Sequence, residues 1–164
     1  MRVKFAPVAL AVLFVVASCG GGSNTTADRP SDVELPVGGD LNTAVPACPF
    51  TAAKISQLVG QPMVDKDNCL FGDGKGIASV TITTSSELAG SGTYDHKRES
   101  AGKRYGNVTD VQKGDKAYIA AGEIEAEAVM IRDDGSYTLT LASFSFDKAK
   151  YEQTLQAMLD GIPS

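Results

Sequence analysis

A short apolar run that ends in a cysteine confines the folding part of this chain to its C-terminal three quarters. After two basic residues, the twelve residues from Phe5 to Val16 are almost all apolar. A run of this length suits an export signal and falls short of the roughly 20 residues that a membrane-spanning helix needs. Small residues at 17 and 18 then precede Cys19. We therefore expect residues 1–18 to be a lipoprotein signal peptide and Cys19 to be the lipidated N-terminus of the mature protein.

A lipid on Cys19 would determine where the protein works. One acyl chain binds a membrane only marginally, whereas two chains hold it stably, at about 0.8 kcal/mol per buried CH₂ group. A diacylglyceryl group on the Cys19 sulfur, together with a chain such as palmitate, predicts anchoring to the cell membrane on the extracytoplasmic side. The alternative is an ordinary secretory signal with a chance cysteine, and the type of envelope stays open.

The stretch after Cys19 has the composition of a linker. Residues 20 to 46 are rich in Gly, Ser, Thr, Asp and Pro and show no apolar periodicity. Such a segment buries too little surface to offset the entropy lost on ordering it. We predict a disordered tether over residues 19–45, with a span of roughly 30 Å, that leads into a single domain over residues 46–164.

The charge balance argues against nucleic acid as a partner. The chain has 20 acidic and 15 basic residues, and loss of Arg2 and Lys4 with the signal leaves 13 basic residues and a net charge of −7. Nucleic acids and anionic membrane surfaces attract proteins of positive net charge. Neither nucleic acid nor an anionic membrane surface is therefore expected to be the main partner of the domain.

The two cysteines that remain in the mature domain, Cys48 and Cys69, are expected to form one disulfide. An even number of cysteines in an oxidising compartment is typical of such pairing. The bond would be worth roughly 3 kcal/mol through the entropy of the closed loop. Two free buried thiols or half of a metal site are the alternatives. A metal site is disfavoured because His96 is the only histidine and no CxxC spacing occurs.

The predicted domain begins with a helix that has clear signals at both ends. Thr51 is a good N-cap, and Phe50 before it is placed to pack on Ile55 in the first turn. Gly60 suits the position just after the last turn. We therefore predict a helix from Ala52 to about Val59.

Alternation of apolar and polar residues predicts the strands. Ala78, Val80 and Ile82 alternate with serine and threonine, as in a strand that is buried on one face. The remaining signals predict strands over 68–71, 107–112, 116–121, 123–132 and 137–144, a hairpin at 134–135, and helices over 94–105 and 147–160. The order α-β-β-α-β-β-β-β-α predicts an α+β domain with a mostly antiparallel sheet and helices packed on it.

Four short segments of the domain occur together in a known family. They are 48–51 and 69–71, each of which begins with a cysteine, and then 114–118 and 129–135. The set resembles a family of small actinobacterial lipoproteins whose domain has no known function, and the resemblance covers residues 46–162. It implies the same fold and a bond between the two cysteines, and it supplies no catalytic residue.

A basic cluster stands out on this acidic chain. Lys97, Arg98, Lys103 and Arg104 lie within one predicted helix, which brings them within a turn or two of each other. The cluster predicts an anion contact, such as a phospholipid headgroup or an acidic polymer. The favoured alternative is a solvated helix face that nearby acidic residues neutralise.

Three further patterns carry weaker signals. Glu123, Glu125 and Glu127 share one face of a predicted strand about 7 Å apart, and we expect solvent, rather than a positive partner, to cover them. His96 lies among charged residues and is interpreted as a surface histidine. The loop 72–76 lacks the order of a phosphate-binding loop and is interpreted as a hairpin turn.

No residue pattern in the sequence identifies a catalytic set. We expect a non-enzymatic binding or interaction module without a cofactor, whose partner is an envelope protein or an amphiphilic ligand. Such a ligand would lie between sheet and helices beside Tyr94, Tyr105 or Tyr118. The alternative is an envelope hydrolase or transferase that uses carboxylates such as Asp115 or Glu123, and this needs two acids with raised pKa values in one cleft.

Overall fold

The structure is a computed structural model that describes residues 44–163. The predicted signal peptide, Cys19 and nearly all of the predicted tether lie outside these residues. Within them, none of the helices combines the length and the apolar character that crossing a bilayer requires.

Residues 44–163 form three helices and seven strands. In chain order these are α1 (Ala52–Val59), β1 (Val64–Asp65), β2 (Leu70–Gly72), β3 (Ser79–Ser85), α2 (Glu87–Tyr105), β4 (Thr109–Asp110), β5 (Lys116–Ala121), β6 (Glu125–Arg132), β7 (Gly135–Ala142) and α3 (Lys148–Gly161). The strands form one antiparallel sheet in the order β1-β2-β3-β7-β6-β5-β4. The predicted α+β fold is confirmed. The prediction lacked β1, since two residues are too few to show an alternation.

The helix α1 begins and ends where its sequence signals place it. The Thr51 hydroxyl accepts a hydrogen bond from the N–H of Lys54, and Gly60 ends the helix in the left-handed conformation. Phe50 and Ile55 are both buried in the same apolar core. The local sequence signals therefore suffice to predict where this helix begins and ends.

The two faces of the sheet carry separate apolar cores. Side chains alternate between the faces of a strand, so that Ala126, Ala128 and Met130 of β6 lie in a core with α1 and α3. Val129 and Ile131 of the same strand lie in a smaller core with α2. The sheet is thus a middle layer with α1 and α3 on one face and α2 on the other.

The strand β3 and the loop before it are confirmed. Ala78, Val80 and Ile82 are buried on the face that packs against α1 and α3. In the loop, the Asp73 carboxylate accepts hydrogen bonds from the N–H groups of residues 75 to 78. These bonds, chiefly that from Ala78, lower the pKa of Asp73. The loop is therefore a turn stabilised by one carboxylate.

The helix α2 is seven residues longer at its start than the predicted 94–105. It begins after Ser86, whose hydroxyl accepts a hydrogen bond from the N–H of Ala89. The early turns contain Gly90 and Gly92, which made this stretch resemble a loop in the sequence. Gly90 is buried, and it lies so close to β7 that an added Cβ atom would be 2.2 Å from Cβ of Ser136. The glycine thus allows the helix to approach the sheet closely.

Most strand boundaries also differ from the prediction by one to three residues, and β4 is reduced to Thr109–Asp110 within the predicted 107–112. Arg132 pairs directly with Gly135, so the hairpin loop consists of Asp133 and Asp134 and lies one residue earlier than predicted. The strand β6 starts at Glu125, and Ile124 before it is 73% exposed, although the alternation placed it on the apolar face. The pairing with β7, which starts opposite Ala142, sets this boundary.

The expected disulfide between Cys48 and Cys69 is confirmed. Their Cα atoms are 5.6 Å apart, and the bond joins the segment before α1 to the residue before β2. Residues 67 to 69 all have positive φ, from 52° to 68°. The disulfide therefore holds an irregular connection that side-chain packing leaves largely exposed.

Candidate functional site

A cleft of about 300 Å³, whose lining has more apolar than polar surface, lies between α2 and the sheet face that this helix covers. Six residues between His96 and Tyr105 form its helix side, among them Lys97 and Ser100. Glu127 of β6 and Thr138 of β7 form its sheet side. Residues three and four apart on a helix share a face, which brings these side chains over the sheet. We call this the α2 cleft.

The distinctive feature of the α2 cleft is the hydroxyl group of Tyr105. Its oxygen is buried and has no hydrogen-bond partner among the described residues. Burial, followed by the negative charge of Glu125, raises the pKa of Tyr105 to about 12. The group is therefore a protonated O–H at neutral pH. Leaving such a group without a partner costs about 1–3 kcal/mol.

A second tyrosine holds the carboxylate of the cleft in place. Tyr118 is fully buried, and its O–H donates to Oε1 of Glu127 at 2.6 Å. Burial, followed by this bond, raises the pKa of Tyr118. The Tyr94 ring meets that of Tyr118 edge to face, with 5.5 Å between the ring centroids. Tyr94 and Tyr118 thus fill the core below α2, and of the three predicted tyrosines Tyr105 lines the cleft.

Two of the four predicted basic residues line the cleft. Lys97 Nζ donates to the Thr138 hydroxyl at 2.9 Å, and Arg104 forms an ion pair with Glu125. The other two have partners elsewhere. Arg98 makes two bonds of 2.8 Å to Asp110 and lines a separate groove next to Tyr94, and Lys103 pairs with Glu99 at 2.6 Å.

The interpretation of the acidic stripe as solvated is wrong for two of its members. Glu123 is exposed and precedes β6, whereas Glu125 and Glu127 are partly buried below α2. Arg104 and the Tyr118 hydroxyl bind them. The reason is that α2 packs on this face of the sheet and supplies positive charge and a donor there.

The carboxyl groups whose pKa is shifted are all more acidic than usual. Their causes are hydrogen bonds from donors: Ala78 N–H for Asp73, Lys103 for Glu99, Arg98 for Asp110 and Lys113 for Asp160. Asp115 and Glu123, the acids considered for catalysis, flank the six-residue strand β5 at opposite ends. They are therefore about 20 Å or more apart and do not share a cleft.

His96 is exposed at the margin of the α2 cleft. Within residues 44–163, no group of three or more His, Cys, Asp or Glu side chains is arranged to hold a metal ion.

Two larger hollows on the surface both lack a buried hydroxyl group without a hydrogen-bond partner. One of about 620 Å³ lies beside the disulfide, and one of about 440 Å³ lies near Asp134. A buried oxygen of Asp134 lacks a hydrogen bond, but Arg132 Nε is 3.1 Å from it and balances its charge. The Tyr105 hydroxyl has no hydrogen-bond partner among the described residues, although Arg104 lies over the ring with 5.4 Å between its Cζ and the ring centroid.

Replacing Tyr105 by phenylalanine is expected to raise the free energy of unfolding by about 1 kcal/mol, because a buried hydroxyl without a partner is removed. Tyr118→Phe is the matched control, since it removes a hydrogen bond to a carboxylate and is expected to cost about 1.5–3 kcal/mol. Urea denaturation of both variants measures these changes. A Tyr105→Phe variant that is destabilised as much as Tyr118→Phe would show that the Tyr105 hydroxyl has a partner inside the protein.

Sequence reasoning missed Thr138 and Ser100 of the cleft and considered Glu127 only as part of the acidic stripe. The sequence indicates these residues only weakly: Glu127 alternates with buried alanines, and Lys97 and Ser100 share a helix face.

No protein-family model, curated protein or solved structure matches this chain.

Proposed function

We propose that this protein is a lipid-anchored bacterial envelope protein whose folded domain is a non-enzymatic binding module, with the α2 cleft as its binding site. The observation that carries the proposal is the buried Tyr105 hydroxyl, which has no partner among the described residues in a cleft lined by donors and acceptors. Buried polar groups are otherwise almost always paired. The hydroxyl has almost no accessible surface, so a ligand in the cleft would pair with it only if neighbouring side chains moved aside.

The disulfide supports an extracytoplasmic address. Such bonds persist in oxidising compartments and are rare in the cytosol, and Cys48 and Cys69 form one here. The signal-like residues before Cys19, and the resemblance to small actinobacterial lipoproteins, point to the same address. The domain would then be held close to the membrane by residues 19–45.

The lining of the cleft combines polar groups with a larger apolar surface, which leaves a polar and an amphiphilic ligand as alternatives. Tyr94 and Tyr118 are buried in the core, so the aromatic surface that an acyl chain would contact is occupied. The polar groups at the cleft are hydroxyl, ammonium, guanidinium, imidazole and carboxylate. The carboxyl groups with lowered pKa form hydrogen bonds and ion pairs away from the cleft, and these stabilise the fold. Such carboxyl groups are poor proton donors in catalysis.

The lipid anchor predicts that Cys19→Ala releases the protein from the membrane. Cells that express the full chain or this variant are fractionated, and the protein is followed in membrane and soluble fractions. We expect the wild-type protein in the membrane fraction and the variant outside it, because the acylated sulfur is lost. Equal partitioning of the two proteins would contradict the anchor.

The binding site is tested by photo-crosslinking in intact cells. A diazirine-bearing residue is placed at Ser100, which lines the cleft, or at Ser91, which is exposed on the same helix. Nine residues are about two and a half turns, so these positions point in opposite directions. We expect adducts from position 100 that are absent from position 91. The same adduct pattern, or none, at both positions would reject the cleft as the binding site.

A further inference from the structure

The strand β3 is longer than the strand that pairs with its outer edge. β2 pairs with residues 79–81 of β3, whereas β3 continues to Ser85. One further bond joins the two segments, from the N–H of Ile82 to the carbonyl of Cys69. Residues 67 to 69 have positive φ, so the chain there lacks the extended conformation that strand pairing needs. The outer edge of β3 is therefore open beyond Ile82.

Thr84 presents its backbone polar groups at this open edge. The backbone groups of successive residues in an antiparallel strand bond to alternate sides. Because the N–H of Ile82 points towards β2, the N–H and C=O of Thr84 point to the same side. No segment among residues 44–163 is hydrogen-bonded to them there. An open edge of this kind pairs readily with another extended chain.

A groove of about 620 Å³ runs along the open edge, and we call it the β3 groove. Residues 81 to 84 all line it. Successive side chains of a strand point to opposite faces, so a hollow that touches all four residues lies against the edge of the strand. Cys48 also lines the groove, but Pro46 and Pro49 on either side of it have no N–H to donate to a neighbouring strand. The β3 groove thus offers its edge to an extended segment of about four residues, roughly 13 Å long.

The charge of the β3 groove favours a basic segment. Asp65 and Asp67 are the charged residues of its lining, and both are exposed. Neither forms an ion pair among the described residues. Oδ1 of Asp65 accepts a hydrogen bond from the N–H of Asp67 at 2.8 Å, which keeps the two residues side by side. A Lys or Arg side chain complements these carboxylates, whereas an acidic segment is repelled.

We infer that the open edge of β3 is a docking surface for an extended segment of a partner protein that carries Lys or Arg side chains. The backbone of the segment pairs with Thr84, and its cationic side chains lie at Asp65 and Asp67. The β3 groove shares no lining residue with the α2 cleft, so this surface is independent of the binding site proposed above.

The test is calorimetry and amide NMR of the full chain in detergent micelles with short peptides. The probe is a blocked hexapeptide of alternating lysine and valine, and its twin has glutamate in place of lysine. We expect the lysine peptide to shift the amide signal of Thr84 and to bind about tenfold more tightly than the glutamate peptide. Equal binding of the two peptides, or no shift at Thr84, would overturn the inference. A Thr84 signal that shifts with protein concentration alone would assign the edge to a second copy of this chain and overturn it as well.

Methylation of the peptide backbone separates strand pairing from charge attraction. In an extended peptide, the N–H groups of alternate residues point to the same side. Methyl groups on one alternate set of nitrogens therefore block pairing with β3, and methyl groups on the other set leave it intact. We expect one methylated lysine peptide to bind about tenfold more weakly and the other to bind as before. Equal loss or equal retention in both peptides would reject pairing at the edge.

Variants of the protein test the role of the two carboxylates. Asp65→Asn with Asp67→Asn removes both charges, and asparagine tolerates the left-handed conformation of residue 67. We expect this double variant to bind the lysine peptide about tenfold more weakly. Asp95→Asn is the control, since Asp95 is an exposed carboxylate on α2 outside the β3 groove, and its binding should be unchanged. Full binding by the double variant, or an equal loss in the control, would contradict the inference and leave the proposed role of the α2 cleft standing.

Discussion

Replacing Gly90 by alanine is expected to lower the free energy of unfolding by about 2 kcal/mol or more. The new Cβ atom would lie 2.2 Å from Cβ and 2.4 Å from Oγ of Ser136, and 3.0 Å from Cδ1 of Ile131. A serine Cβ is fixed to the backbone, so the helix itself has to move away from the sheet. Overpacking of this kind costs about 1–3 kcal/mol and at times more. It outweighs the roughly 1 kcal/mol that alanine gains over glycine in a helix.

The control lies two residues further along the same helix. Gly92 has no atom within 4 Å of an added Cβ, so Gly92→Ala is expected to gain up to about 1 kcal/mol from helix propensity alone. Urea denaturation of both variants measures the difference. A Gly90→Ala variant that is as stable as Gly92→Ala would show that α2 does not approach β7 as closely as described.

A second variant confirms the source of the strain. Ser136→Gly removes both of the serine atoms that the new Cβ would meet. Ser136→Gly alone also removes the 2.6 Å hydrogen bond between the hydroxyls of Ser85 and Ser136, so it is the reference for the double variant. Gly90→Ala is expected to cost less stability in the Ser136→Gly background than in the wild type, because the helix can return to its place. An equal cost in the two backgrounds would point to a different cause.

Loss of the disulfide is expected to cost about 3 kcal/mol. The bond closes a loop whose ends are 21 residues apart, and chain-entropy reasoning gives roughly 3 kcal/mol for loops of this size. The variant Cys48→Ser with Cys69→Ser removes the bond without leaving a free thiol. Thermal and urea denaturation of the oxidised wild type and the variant measure the loss.

Reduction of the wild type provides the matched comparison. Dithiothreitol should lower its stability to about that of the double serine variant and leave the variant unchanged. If reduction has no effect on the wild type, the two cysteines are not bonded in the protein as produced by the cell.

Local signals account for most of the fold. Thr51 and Gly60 delimit α1, and the alternation through Val80 predicts β3, because capping and period-two burial depend on neighbours in sequence. The first two turns of α2 were missed because Gly90 has a role that depends on Ser136, a residue of another element. A glycine selected for close approach has the same sequence signature as one in a loop.

The candidate site was predicted only in part. Tyr105, Lys97 and Arg104 were recognised as residue types that bind ligands. Thr138, the partner of Lys97, was not recognised, and Glu127 was considered only as part of an acidic stripe. The pairing of Arg104 with Glu125, 21 residues away, depends on where α2 lies across the sheet. That position is a tertiary property, and no periodicity within one segment reports it.

The central claim, that a disulfide-bonded domain is displayed outside the cytoplasm on a lipid, is tested most directly by the intact mass of the protein extracted from cell membranes under non-reducing conditions. We expect a chain that begins at Cys19, carries the mass of its acyl groups and is lighter by the two hydrogens of the thiols at Cys48 and Cys69. A chain that retains its first 18 residues, or that begins at Cys19 without acyl groups, would contradict the claim.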